Sequence, residues 1–156
     1  MRVHLAAVGR LRAGPERDLV ADYLERFTRT GRGIGLSFGG LHEVEDRKGG
    51  GARGEAVLLG NAVPQGATVW VLDERGEALS SPEVARALAR ERDTGTGVLA
   101  FVIGGADGLD PDFRAGAQKA LSLGPMVWPH MLARVMLSEQ LYRAATILSG
   151  SPYHRA

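Results

Sequence analysis

The chain has 156 residues, 44% hydrophobic and 24% charged, which is the size and balance of one globular domain and excludes a disordered chain. It contains no cysteine, which excludes disulfides and thiolate chemistry and fits a reducing cytoplasm. No apolar run approaches the ~20 residues of a membrane span, the opening MRVHLAAVGRLRAG lacks a signal-peptide pattern, and a net charge of +1 is too small for tight binding to naked nucleic acid, so neither a membrane nor DNA is an expected partner.

From the N-terminus, RVHLAAV reads as a first strand. Pro15 to about Arg29 reads as a helix, with Leu19, Tyr23, Leu24 and Phe27 at helical spacing. IGLSF is a short second strand, and residues 39–54, rich in glycine and charge, read as a mobile loop. A short helix through Ala56, Val57, Leu58 and Leu59 follows. TVWVLD is a third strand stopped by the polar turn Asp73–Gly76. Ser80, Ser81, Pro82 and Glu83 carry a helix-start signature, and that helix runs to about Arg92. GVLAFVIG is an apolar fourth strand, Asp110-Pro111 starts another helix, and a short strand lies near Leu121 to Leu123. After the loop GPMVWP, a long helix runs from about His130 to Leu148 and the polar tail SPYHRA ends the chain. Apolar strands separated by helices predict an α/β fold, a mostly parallel sheet covered on both faces. No internal repeat or linker divides the chain, so one domain over residues 1–156 is expected.

Several chemistries lack their signature. There is no P-loop, no G-x-S-x-G elbow and no G-x-G-x-x-G after the first strand. Four scattered histidines without cysteine offer no ligand cluster, and no metal site is expected. Four features remain. The glycine turn Gly104-Gly105, with Gly108 beyond it, ends the fourth strand, where ligands of open parallel sheets bind and where a residue without a side chain lets a ligand approach the backbone; alone it also reads as a plain strand-to-helix turn. The loop Gly124-Pro125-Met126-Val127-Trp128-Pro129 is apolar, stiffened by two prolines and set before a helix, which suits an adenine ring held by backbone groups or, equally, a buried connector. Arg134 stands near the start of the apolar stripe Leu137, Leu141, Ala144 and Leu148. A cation there opposes the helix dipole and calls for an anion, either an internal carboxylate or a phosphate; Glu139 and Arg143, at i and i+4, read as a surface ion pair. The tail Tyr153-His154-Arg155 combines a stacking surface, a group titrating near neutrality and a fixed cation, or is a frayed end. Residues 113–156 hold five Lys/Arg against one acid, Glu139, a positive end that could face an anionic partner.

Together FVIGGADGLD, LSLGPMVWPHMLARVMLSEQLYRA and the terminal SPYHR closely resemble the RlmH-type family, ribosomal large-subunit RNA methyltransferases of the SPOUT class that act on a pseudouridine at N3. TVWVLDERGEALSS and the opening strand are similar too, and the likeness is weakest over residues 30–60. The resemblance implies the SPOUT (alpha/beta knot) fold with a C-terminal trefoil knot, a homodimer, and a pocket for S-adenosyl-L-methionine (SAM; product S-adenosyl-L-homocysteine, SAH) beside the partner subunit. By motif position the cofactor contacts fall on Leu72, Gly104, Gly105 and the loop Gly124, Pro125, Met126, Val127, Trp128 and Pro129. The chain departs from the family at Ala156, where a terminal Glu is usual, and at Val127, where Thr is frequent. The implied reaction is direct methyl transfer to an imide nitrogen, with His154 as proton acceptor, Arg134 and Arg155 as cations near the developing charge, and Tyr153 beside them. The implied partner is large-subunit rRNA within the ribosome. Two other readings are a SPOUT enzyme acting on a tRNA base or a ribose, and a non-catalytic RNA- or nucleotide-binding module.

Overall fold

The computed structural model describes residues 1–155; the Ala156 departure lies outside the described residues. Strands and helices alternate as β1 (Arg2–Val8), α1 (Pro15–Gly31), β2 (Ser37–Val44), α2 (Gly51–Ala62), β3 (Thr68–Glu77), α3 (Ser81–Asp93), β4 (Val98–Ile103), α4 (Pro111–Gly116), β5 (Lys119–Leu121) and α5 (His130–Ser149). The sheet order is β2-β1-β4-β3-β5 and every pairing is parallel. All five carboxyl ends therefore emerge along one edge, the place where such sheets bind ligands.

The two-residue period of the strands divides the core between two faces. Val3, Leu5, Ala7, Trp70, Leu99, Phe101 and Ile103 belong to the larger cluster, with Val20, Leu24 and Phe27 of α1, Ala85 and Leu88 of α3, and Leu137 and Leu141 of α5. Ala6, Val8, Val71 and Val102 belong to a smaller one, with Leu59 of α2 and Leu109. Helix ends follow their sequence signals. Ser80 and Glu83 form a reciprocal capping box on α3, and the Asp110 carboxylate accepts from the Asp112 and Phe113 amides at the start of α4.

Two local expectations are corrected. The second strand does not end at Phe38, and residues 39–54 are not one loop: β2 continues to Val44 and α2 begins at Gly51. The glycines there serve a bulge instead. Pairing with β1 shifts at Val3/His4, and a side chain on Gly39 would overlap the His4 imidazole, so the glycine admits a neighbour rather than breaking the strand. Likewise Asp73–Gly76 interrupts β3 without ending it. Leu72 and Glu77 both pair with Leu121 of β5, so the residues between them are displaced from the ladder at the carboxyl edge of the sheet.

Candidate cofactor site

A cavity of about 320 Å³ opens at the carboxyl ends of β3, β4 and β5, within the size range of small-molecule sites. Leu72 to Arg75 form one wall, Ile103 to Leu109 a second, and Leu121, Leu123, Gly124 and Met126 to Trp128 a third, with His130 and Ala133 of α5 closing it. Of the residues expected to hold a cofactor, Leu72, Gly104, Gly105, Gly124, Met126, Val127 and Trp128 line this space, while Pro125 and Pro129 stand outside the lining. The prolines flank the loop instead: Pro129 caps α5, whose Ala133 amide donates to the Pro129 carbonyl.

Each wall has a physical cause. A side chain on Gly104 would sit 2.9 Å from the main chain of Gly108, so the turn closes only around glycine. A side chain on Gly105 would meet not the cavity but the carboxylate of Glu55, 2.7 Å from Oε1. The loop is open rather than buried, with Val127 86% exposed, and the amides of Met126, Val127 and Trp128 make no hydrogen bond within the described residues. Those donors and the apolar side chains around them suit the edge and faces of a heterocyclic base.

Two acids flank the space. Asp73 accepts from the Arg75 side chain at 3.0 and 3.1 Å and from the Arg75 amide at 2.9 Å, and the Arg114 Nε lies 3.2 Å away. The Arg75 hydrogen bonds hold its carboxyl below the ordinary range, against burial and with help from the Arg114 charge. Glu55 is the opposite case. Burial pushes its carboxyl up, the Gly105 amide opposes this, Asp107 and Asp46 add to the rise, and His130 opposes it weakly. Its Oε2 is shielded from water and has no partner. The sequence reading passed over Glu55 and His130. Glu55 was legible as an acid one helical turn before the buried Leu59, and His130 as a polar residue directly after Pro129.

The expected catalytic residues are not assembled at this cavity. Arg134 is fully buried. Its Nη1 donates to Glu43 Oε2 at 2.9 Å and its Nη2 to the carbonyls of Val8 and Gly9 at 3.1 Å each. Of its two expected partners it has the internal carboxylate, and it ties α5 to the ends of β1 and β2. Glu43 also accepts from the Leu11 amide. The tail, whose residues the resemblance implies in the reaction, lies along its own helix and away from this cavity. Tyr153 donates to Glu139 Oε1 at 3.0 Å, packs tilted against Tyr142 and lies under Arg143. Burial and the bond to Glu139 push its phenol up to about 12. His154 Nδ1 lies 3.3 Å from Arg143 Nη1, where it must accept because a guanidinium only donates. Arg155 is exposed. The reason is length: Glu139 stands nine residues beyond His130, on the order of 13 Å along the helix, and the tail turns back no further. The Glu139–Arg143 pair, expected as a surface ion pair, is thus the tail's anchor. Beside it a second, apolar hollow of about 660 Å³ is lined by Leu19, Tyr23, Leu79, Val84, Val135 and Met136, and it adjoins the cavity through Leu72, Leu123 and Gly124.

Among the described residues no group of three or more His, Asp or Glu could hold a metal ion, and no helix is long and apolar enough to cross a membrane.

Comparison with known proteins gives three findings. The family described as "Predicted SPOUT methyltransferase" matches residues 1–154. The chain is 66% identical to "Ribosomal RNA large subunit methyltransferase H" of Dinoroseobacter shibae and 65% identical to the protein of that name from Roseobacter denitrificans, in each case over 99% of both chains. A solved structure of a probable methyltransferase from Bordetella pertussis Tohama I shares the fold, with a TM-score of 0.53, 18% identity, and coverage of 92% of this chain and 95% of that one.

Proposed function

The chain belongs to the SPOUT methyltransferase family, and from that premise we propose that it transfers the methyl group of SAM to N3 of a pseudouridine in large-subunit rRNA, on the assembled ribosome in the cytoplasm. The observation that carries the proposal is the convergence of Leu72, Gly104, Gly105 and the Gly124–Trp128 loop on one cavity, in a chain alike end to end with relatives named as large-subunit rRNA methyltransferases. The cavity fits the cofactor. Its glycine turn lines the space with main chain, and the Met126, Val127 and Trp128 amides, without partners among the described residues, are free to bond a base edge. The trefoil threading of the C-terminal segment implied by the resemblance is part of the same reading.

When bound, the cofactor supplies a methyl group on a positively charged sulfur that is already a good leaving group. The chain's residues then have three tasks. Gly104, Gly105 and the loop hold and orient the ligand, so that the attacking nitrogen and the methyl carbon can lie in line. The N3 proton is taken up by the His154 imidazole at Nδ1, which must first leave Arg143 because that nitrogen carries the ring's one free lone pair. Arg155 steadies the charge that develops on the imide oxygen, or a neighbouring phosphate, while Tyr153 offers a stacking face. Arg134 has no part in these steps, since its guanidinium is engaged inside the fold.

Because the tail lies along α5 and not over its own cavity, the tail that serves each cavity is assigned to a second copy in a homodimer. The apolar hollow beside the tail and the exposed Met126, Val127, Trp128, Met131 and Leu132 supply surface for that association. Incubation with labelled SAM and either intact ribosomes, separated subunits or free rRNA tests the reading. Label should enter large-subunit RNA of intact ribosomes as N3-methylated pseudouridine, and label in tRNA or on a ribose would overturn the substrate assignment. Removing residues 153–156 should leave SAM affinity within about twofold and abolish transfer. A truncated enzyme of normal rate returns the tail to a structural role.

A further inference from the structure

Among the described residues one carboxylate oxygen is both shielded from water and without a hydrogen-bond partner, Oε2 of Glu55. The Glu55 carboxylate lies against Gly105, where a side-chain carbon would fall 2.7 Å from Oε1 and 2.9 Å from Oε2. Gly105 lines the cavity and Glu55 does not. The acid therefore stands directly behind a wall one residue thick that has no side chain of its own.

Other acids at the cavity are already neutralised or screened. Asp73 has Arg75 and Arg114, and Glu74 and Asp107 are exposed to water. Glu55 is half-buried and has no ion-pair partner. Its carboxylate accepts from the Gly105 amide, but its Oε2 is shielded without a partner, which is costly, and the charges of Asp107 and Asp46 add to the burden while His130 relieves only part of it. A cation entering the cavity would relieve it further, and the field of a partly buried charge is weakly screened across so thin a wall. At neutral pH, SAM carries one net positive charge through its sulfonium and SAH carries none.

We propose that Glu55 is a specificity-determining residue of the cofactor site: its carboxylate, pressed against the back of Gly105, is the counter-charge by which the cavity prefers cationic SAM to neutral SAH. The inference rests on the reading of this cavity as the SAM site. Its consequence is directional. Methyl transfer removes the positive charge, so the spent product remains in a site built for a cation and exchanges readily for fresh cofactor. The effect is one of ligand discrimination, since an interaction that weakens as the charge disappears does not speed the chemical step.

Titration calorimetry of the full chain with SAM and with SAH, measured separately, tests this. Glu55→Gln preserves shape and removes the charge; SAM should bind about tenfold more weakly while SAH changes by less than about twofold. Glu55→Asp keeps the charge and should retain most of the preference for SAM. Circular dichroism should show unchanged helicity in both variants. Equal weakening of the two ligands in Glu55→Gln would make the residue a structural support of the glycine turn and overturn the proposal, as would an unchanged SAM-to-SAH ratio. A parent protein that binds neither ligand overturns the cofactor reading itself, an outcome distinct from a parent that binds both while Glu55→Gln keeps the ratio.

Discussion

The two sides of the cavity carry the same chemical group in opposite circumstances. On the β3 side Asp73 is held by two arginines and one amide, and its carboxyl lies below the ordinary range. On the α2 side Glu55 has an unpartnered oxygen, and burial raises its carboxyl. A third acid, Glu43 on the edge strand β2, has a fully buried cation, Arg134, as its partner. The series separates acids that hold the fold together from one that stays available. Asp73 and Glu43 are paired near strand ends; Glu55 keeps one shielded oxygen without a partner, the feature on which its proposed role toward the cofactor rests.

This contrast can be broken at several points. Arg134→Ala should have the largest effect, a loss of about 3–5 kcal/mol in chemical denaturation, because it strands Glu43 and the Val8 and Gly9 carbonyls. A loss below about 1 kcal/mol would mean that water replaces the guanidinium. Asp73→Asn should cost about 1–3 kcal/mol by removing the negative charge and one of the two acceptor oxygens shared by Arg75 and the partly buried Arg114. The glycines divide in the same way. Gly104→Ala forces the main chain of Gly108 to move and should weaken SAM binding by more than tenfold, whereas Gly105→Ala displaces only the flexible end of Glu55 and should weaken it by about threefold or less. Equal losses would show that the two positions share one role.

The smallest effect is the most specific. The folded-state pKa of Asp73 is depressed, so its stabilisation is present above the ordinary aspartate value of ~3.9 and is lost as pH falls through the folded value. Glu55 has the opposite sign. Its pKa is raised in the fold, so the stability it adds is present below the ordinary glutamate value and disappears as pH rises through the raised one. Thermal unfolding across pH 4 to 7 should therefore show Glu55→Gln gaining on the parent as pH rises, by roughly 1 kcal/mol or less. A gain that is flat with pH would place the cause elsewhere than in the charge.

The architecture was legible because local signals agreed. Apolar β-branched runs alternate with helices, Ser80–Glu83 spells a capping box that the fold contains, and Gly104, Gly105 and Gly124–Trp128 stood out at strand ends that do converge on one cavity. The misreading at residues 39–54 came from treating Gly39 and Gly40 as breakers when Gly39 was clearing space for His4 across the ladder. No local pattern announces that purpose, since the partner lies 35 residues away in the chain.

By itself the sequence determined the alternation of strands and helices, the glycine turn and the stiff loop, because each depends on backbone preferences that neighbouring residues set. It also carried the family motifs. Only the tertiary structure decided what the charged side chains do. Arg134 found an internal carboxylate contributed by a strand, the tail anchored to Glu139 and Arg143 short of the cavity, and Glu55 came to rest behind Gly105 with one oxygen unpartnered. The physical reason is that a charge is governed by what lies within a few ångströms in space, and in a parallel sheet with crossover helices those neighbours come from distant parts of the chain.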